Sequence, residues 1–222
     1  MIKEKDKRDW VETQSPSKYY NKEEAKQITL GHLPHISERQ KLYAVTFRLH
    51  DSMPQEVVKA YIDRYESEFG KDELFKSKRE AMLYKKMMEY MDAGHGECLL
   101  KNKDVRHIVE DAINYINNRM VIIHAYVIMP NHVHMVFETL NDIGIQRVMH
   151  SLKRYTALEI NRLLKRKGCV WQREYYDRLI RNNAHYFNAI NYIHNNPRYC
   201  NEGEYVLGGQ VFNPSGGKKN SV

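Results

Sequence analysis

Cysteine is scarce in this chain: Cys98, Cys169 and Cys200 are the only three in 222 residues. Their odd number and the lack of a CxxC pair exclude a disulfide framework and a zinc knuckle, and point to a reducing cytoplasm. Long hydrophobic runs are missing too. The longest, Val121 to Met129, is interrupted by His124 and falls far short of the ~20 residues that span a bilayer. The first ten residues are mostly charged, so no signal peptide is expected. No internal repeat occurs. Hydrophobic residues still make up 42% of the chain, enough for a sizeable core, and the length allows one domain with extensions.

Acid is the other deficit. From Asn141 to Cys200 four acids (Asp142, Glu159, Glu174, Asp177) oppose eleven basic residues (Arg147, Lys153, Arg154, Arg162, Lys165, Arg166, Lys167, Arg173, Arg178, Arg181, Arg198), so this window carries the whole net charge of +7. A basic surface interleaved with Tyr155, Trp171, Tyr175 and Tyr176 suits a nucleic-acid backbone with stacked bases. For Arg162 to Lys167 alone, a solvated helix face explains the charge better.

The most informative residues are His132-Val133-His134, in an apolar run entered through Pro130-Asn131. Side chains at i and i+2 of a strand share a face, so the two imidazoles can converge on one metal ion. Two histidines bonded to backbone would give the same pattern, and two ligands do not fill a coordination sphere. A second group lies near the other end, in Tyr192-Ile193-His194-Asn195-Asn196-Pro197. Tyr186, Ala189, Ile190 and Ile193 make an apolar stripe at helical spacing, predicting a helix that starts near Asn182 or Asn183 and is stopped by Pro197. Tyr192 and Asn196 are four apart on its polar side and therefore stacked. Taken alone, Tyr192 reads as a helix-surface tyrosine, one of 16 in the chain.

Together these segments resemble the single-tyrosine transposases of the HUH (His-hydrophobe-His) nuclease superfamily. Ser151-Leu152-Lys153, Ile160-Asn161, and Val170-Trp171-Gln172-Arg173-Glu174 followed by Asp177-Arg178 are similar to the REP-associated tyrosine transposase branch. The resemblance runs from about Tyr43 to Arg198, with the motifs in order. It implies an α+β fold, a ferredoxin-like, RRM-like antiparallel sheet flanked by helices. It also implies a divalent cation (Mg²⁺ or Mn²⁺) held by His132, His134 and Asn196, and Tyr192 as the nucleophile toward a phosphodiester of single-stranded or hairpin DNA. Asn196 stands where many insertion-sequence relatives carry Gln, and its shorter arm leaves room for a bridging water. Nothing is carried over for the tail beyond Pro197 or for residues 71–98.

The chemistry suits these residue types. Two neutral imidazoles and an amide oxygen leave most of a cation's charge uncompensated, so it attracts phosphate strongly; two histidines suit Mn²⁺ better than Mg²⁺. A tyrosine with a reference pKa of ~10 needs a base or a cationic field, and the sequence identifies no base. A covalent phosphotyrosine keeps the energy of the broken bond for rejoining. Lys153, Arg154, Arg173 and Arg178 are the expected DNA contacts.

Along the chain, residues 1–40 read as a polar, loosely structured arm, 41–200 as the transposase-like domain and 201–222 as a Gly-rich, disordered tail. Leu42 to Leu49 is the first strand. Pro54 opens a helix to about Phe69, and a second runs from Glu73 to Met91 until Gly94-His95-Gly96 breaks it. Asp104 is expected to cap a helix ending near Asn118, strands follow at Val121–Met129 and His132–Glu138, and Asp142 is expected to cap a long helix ending at Gly168. Val170–Ile180 reads as a last strand or extended loop. Two rival classes remain: an RRM-like module that grips hairpins without cutting, and a metallohydrolase using activated water. The latter would want a carboxylate beside the histidines, and Glu138 lies too far along its strand. Whether the chain is a monomer or a homodimer is open.

Overall fold

Strand propensity and turn residues set the element borders, and alternation along each strand decides which face every side chain takes. A computed structural model describes residues 19, 26–30, 33–37, 40–70 and 76–209. Its first half runs β1 (Lys26–Leu30), β2 (Leu33–Ser37), β3 (Leu42–Arg48), α1 (Gln55–Phe69), α2 (Lys76–Asp92) and α3 (Lys103–Ile116). The second half is β4 (Val121–Ile128), β5 (His132–Thr139), α4 (Ile145–Leu163), β6 (Tyr176–Leu179), α5 (Asn183–Asn195) and β7 (Val206–Gly208).

Five strands form one antiparallel sheet in the order β6-β3-β5-β4-β7. The inner order β6-β3-β5-β4, threaded as strand, helices, two strands, helix, strand, is the ferredoxin-like arrangement. The fold is α+β, as the residue pattern implied.

The two faces of this sheet have different tasks. Tyr43, Val45 and Phe47 of β3, with Val133, Met135 and Phe137 of β5, point to one side and pack with Val105, Val109 and Ile113 of α3 and Val148, Leu152 and Ile160 of α4. The alternate residues point to the other side, where Val127 and Val136 meet Tyr186, Ile190 and Ile193 of α5. A register shift between Ile123 and Ala125 changes the alternation in β4: Ile123 and Tyr126, three apart, share the first cluster, while Ala125 and Val127 lie in the second. Such a bulge flips the alternation once.

The structure revises several expectations. Asn102, not Asp104, caps α3, its side chain accepting from the backbone N–H groups of Asp104 and Val105. Asp142 does not cap α4; Gly144 occupies that position without a side-chain bond, and the helix ends at Leu163 rather than Gly168. The 1–40 segment holds a β1–β2 antiparallel pair. The tail also holds structure, because Val206–Gly208 pairs with Tyr126–Ile128 as β7; a Cβ on Gly208 would come within 2.4 Å of the Tyr126 ring, so only glycine lets that strand close. The expected start of the second helix at Glu73 lies outside the described residues. No helix among the described residues is long and apolar enough to cross a membrane.

Trp171 was expected among base-stacking aromatics. Instead it is buried, sits edge-on to Phe47 with ring centroids 4.8 Å apart, and its indole N–H donates to Thr156 Oγ1 at 2.8 Å. It closes the core between β3 and α4. Thr156→Val strips the indole of its acceptor inside the core, which costs about 1–3 kcal/mol. Urea unfolding should therefore show a lower midpoint for the variant at an unchanged slope, and an unaltered midpoint would mean that this bond contributes nothing.

Candidate active site

The site begins at the β4–β5 turn. Met129 N–H donates to His132 O at 2.8 Å, closing the turn through Pro130 and Asn131. The Asn131 amide nitrogen donates to Met91 O at 3.1 Å and His95 O at 2.9 Å. Its oxygen must therefore be the atom facing His132 Nδ1 at 2.7 Å, so Nδ1 carries the proton and donates. His132 Nε2 is left as a bare lone pair. His134 stands two residues on, and its Nδ1 lies 2.7 Å from Thr46 Oγ1, the residue opposite it on β3. The imidazoles are 1% and 3% exposed, with centroids 4.6 Å apart and rings nearly perpendicular.

Helix α5 brings the second half. Asn182 caps it, accepting from His185 N–H at 2.8 Å, and the stripe Tyr186, Ile190 and Ile193 seats it on the sheet. That seating turns Tyr192 toward the histidines: its ring centroid is 5.1 Å from that of His134, edge-on. Tyr192 is 40% exposed, so an incoming chain can reach it. One turn later Asn196 is buried, its side chain near that of Tyr192. Pro197 follows in a 3₁₀ turn, Asn196–Tyr199, that ends the α-helix. The structure thus brings His132, His134, Tyr192 and Asn196 together from segments about 60 residues apart in sequence.

Among the buried atoms here without a hydrogen-bond partner are His132 Nε2, His134 Nε2 and Asn196 Oδ1. Leaving a buried acceptor unmade costs about 1–3 kcal/mol each, and all three are good donors to a borderline cation. His, Cys, Asp and Glu alone make no group of three or more arranged to hold a metal among the described residues; the two imidazoles need the amide. That donor set fits a divalent ion. Burial holds His132 down at about 3, and burial together with neighbouring His132 holds His134 well below the usual histidine range. Both are neutral and able to ligate. Burial first, then Tyr84 and Asp92, push the Tyr192 phenol upward, while Asn196 pulls it down.

Helix α2 forms the wall that the sequence did not reveal. Tyr84 stacks on Tyr176 at 4.1 Å, and its hydroxyl lies 3.4 Å from Thr46 Oγ1; burial pushes it up to about 12. Asp92 Oδ1 lies 3.7 Å from His132 Nε2 and is also without a hydrogen bond. Asn131 was legible in the Pro-Asn-His motif, but Asp92 had no local signal. Glu138 sits opposite Leu42 at the far end of β5, away from the histidines as expected.

The four expected DNA contacts do not gather around this site. Arg178 is on the site face, exposed, its Nε donating to Tyr176 OH at 2.6 Å and its guanidinium over the Tyr84 and Tyr176 rings. Arg173 is exposed on the loop before β6. Lys153 and Arg154 are carried by α4, across the sheet. Arg154 is exposed, but Lys153 Nζ is committed to the carbonyls of Gln172 and Arg173, both at 2.7 Å, and burial lowers its pKa to about 8. It pins the Trp171 loop. Of the other aromatics in the basic window, Tyr155 is exposed and Tyr175 half-buried.

The buried histidines make stability depend on pH. Their folded-state pKa values are depressed, so below about 6.5 the unfolded chain binds protons that the folded chain refuses. Their contribution is complete above that pH and falls as pH drops toward about 3. Asp92, raised to about 6 by burial, acts with the opposite sign, so the histidine effect must be read by difference. In chelator-treated buffer, stability lost between pH 7 and pH 5 should be greater for wild type than for His132→Gln/His134→Gln. Equal losses in the two proteins would contradict neutral burial.

A family model described as "Transposase IS200 like" matches residues 97–196, a little under half of the chain, which takes in both histidines, Tyr192 and Asn196. No curated protein matches the chain. Among solved structures it is similar to a REP-associated tyrosine transposase bound to a REP hairpin, at 15% identity and a TM-score of 0.42, over 76% of this chain and 73% of that one. Over residues 97–196 the chain is therefore similar to the IS200-like transposases.

Proposed function

We propose that this chain is a metal-dependent single-strand DNA endonuclease and strand transferase, of the REP-associated kind, with Tyr192 as its nucleophile. The observation that supports the reading is the convergence of Tyr192 with three partnerless buried donors, His132 Nε2, His134 Nε2 and Asn196 Oδ1. Buried acceptors without partners call for an explanation, and a bound cation supplies one.

In the proposed reaction Tyr192 Oη attacks a backbone phosphorus and the bond from phosphorus to the 3′ oxygen breaks. A 5′-phosphotyrosine and a 3′-hydroxyl result, the phenol's proton being lost and one being gained by the leaving oxygen. A 3′-hydroxyl reverses the step and joins strands. His132, His134 and Asn196 would hold Mn²⁺ or Mg²⁺, which when bound supplies a Lewis acid and template for the phosphate. Asn131 and Thr46 orient the imidazoles, an outer shell of the kind that fixes tautomer and ring angle. A single strand suits an open site in which the phenol is 40% exposed, because a duplex backbone is hard to bend onto it. Of the four expected cations Arg154, Arg173 and Arg178 are exposed, and Arg178 lies on the face of Tyr192, over the Tyr84 and Tyr176 rings.

Tyr192→Phe removes one oxygen and should keep folding, Mn²⁺ binding and DNA binding while abolishing cleavage and the covalent protein–DNA species. A denaturing gel with end-labelled single strands displays both. A binding module gives no adduct even as wild type, and a water-using hydrolase cuts without one; either result rejects the proposal.

The cations are tested separately. Arg173→Gln/Arg178→Gln should weaken hairpin binding and flatten its salt dependence by roughly 0.7–0.9 in the log–log slope per lost phosphate contact. Lys153→Gln should instead lower the unfolding midpoint and leave that slope alone. The reverse pattern would move the DNA path to Lys153.

A further inference from the structure

We infer that Asp92, the last residue of α2, is an anionic ligand of the same divalent ion, so that the cation is held between β5, α5 and α2. The inference rests on the metal reading proposed above and goes beyond its donor set of two imidazoles and an amide.

The bonds of Asn131 make His132 Nε2 an unprotonated acceptor. Asp92 Oδ1, also an acceptor, faces it at 3.7 Å. Both atoms are buried and neither has a hydrogen-bond partner. Two buried lone pairs turned toward one another repel unless a positive charge lies between them. The spacing is too long for a hydrogen bond. It matches two ligand atoms sharing one ion at roughly 2.1 Å each with an angle near 120° between them.

The placement of the carboxylate argues the same way. Asp92 closes α2, where the helix dipole is negative and a carboxylate is disfavoured. The same end of α2 is pinned by Asn131 through Met91 O and His95 O, so Asp92 is held beside His132 by the residue that orients His132. The carboxylate does not close a three-residue cluster with both imidazoles in this conformation. Its side chain is 23% exposed, which leaves room for rotation onto the ion. A carboxylate beside two imidazoles favours a borderline first-row ion such as Mn²⁺ over Mg²⁺.

Calorimetry with Mn²⁺ alone, on the full metal-free chain, tests this. Asp92→Ala should weaken Mn²⁺ binding at least tenfold, with Asp92→Asn, the closest in shape, in the same direction and Asp92→Glu recovering part of the loss. The visible absorption of Co²⁺ bound in place of Mn²⁺ should change on Asp92→Ala, which loss of a mere packing contact would not cause. Melting with chelator present reports whether each variant folds, and Asp92→Asn stands in if the alanine variant does not. If His132→Ala abolishes Mn²⁺ binding while the folded Asp92 variants keep wild-type affinity and Co²⁺ spectrum, Asp92 is no ligand and the metal reading survives. If wild type takes up no Mn²⁺, both fall.

Discussion

One amide side chain ties the site together. Asn131 gives both hydrogens of its nitrogen to Met91 O and His95 O, and its oxygen to His132 Nδ1. The first two bonds dock the end of α2 onto the β4–β5 turn. The third selects the His132 tautomer and leaves Nε2 as an acceptor facing Asp92 Oδ1. No other arrangement of the amide satisfies two carbonyls on one side and an imidazole on the other. The position of Asp92, the lone pair of His132 and the wall formed by α2 all follow from this buried group.

Around that point the sheet separates stability from chemistry. The face toward α3 and α4 is apolar and closed by the Phe47–Trp171 contact, with the Trp171–Thr156 bond inside it. The face toward α2 and α5 buries two neutral imidazoles, an amide and a half-exposed phenol, and leaves acceptor atoms unmet. Burying such groups without partners is costly. Departures of this kind concentrate where a site must present lone pairs to something outside the chain. The similarity of residues 97–196 to IS200-like transposases takes in the histidines, the tyrosine and the asparagine of that face.

The basic window shows how composition overreaches. Its charge excess is real, yet Lys153 is spent on two carbonyls inside the fold, Trp171 is core, and Lys153 and Arg154 are carried on the far side of the sheet from Tyr192. Counting charges along a sequence cannot tell a cation facing solvent from one that staples a loop, because the carbonyls it meets are about 20 residues away.

Periodicity and spacing by themselves determined the local parts. The i, i+2 relation put His132 and His134 on one face of β5, the stripe Tyr186–Ile190–Ile193 set the roll of α5, and the four-residue step stacked Asn196 beneath Tyr192. Each depends only on backbone repeat and side-chain type, so each was legible. Cap positions were read less well, because Asn102 and Asp104, or Asp142 and Gly144, differ by two residues and compete for the same role. What only the tertiary structure decided was long-range: the strand order β6-β3-β5-β4-β7, the capture of residues 206–208 as an edge strand, and the arrival of Tyr84 and Asp92 at the histidines. Those contacts join residues about 40 positions apart or more. Their partners are chosen by the packing of whole elements, and no repeat within either segment encodes them.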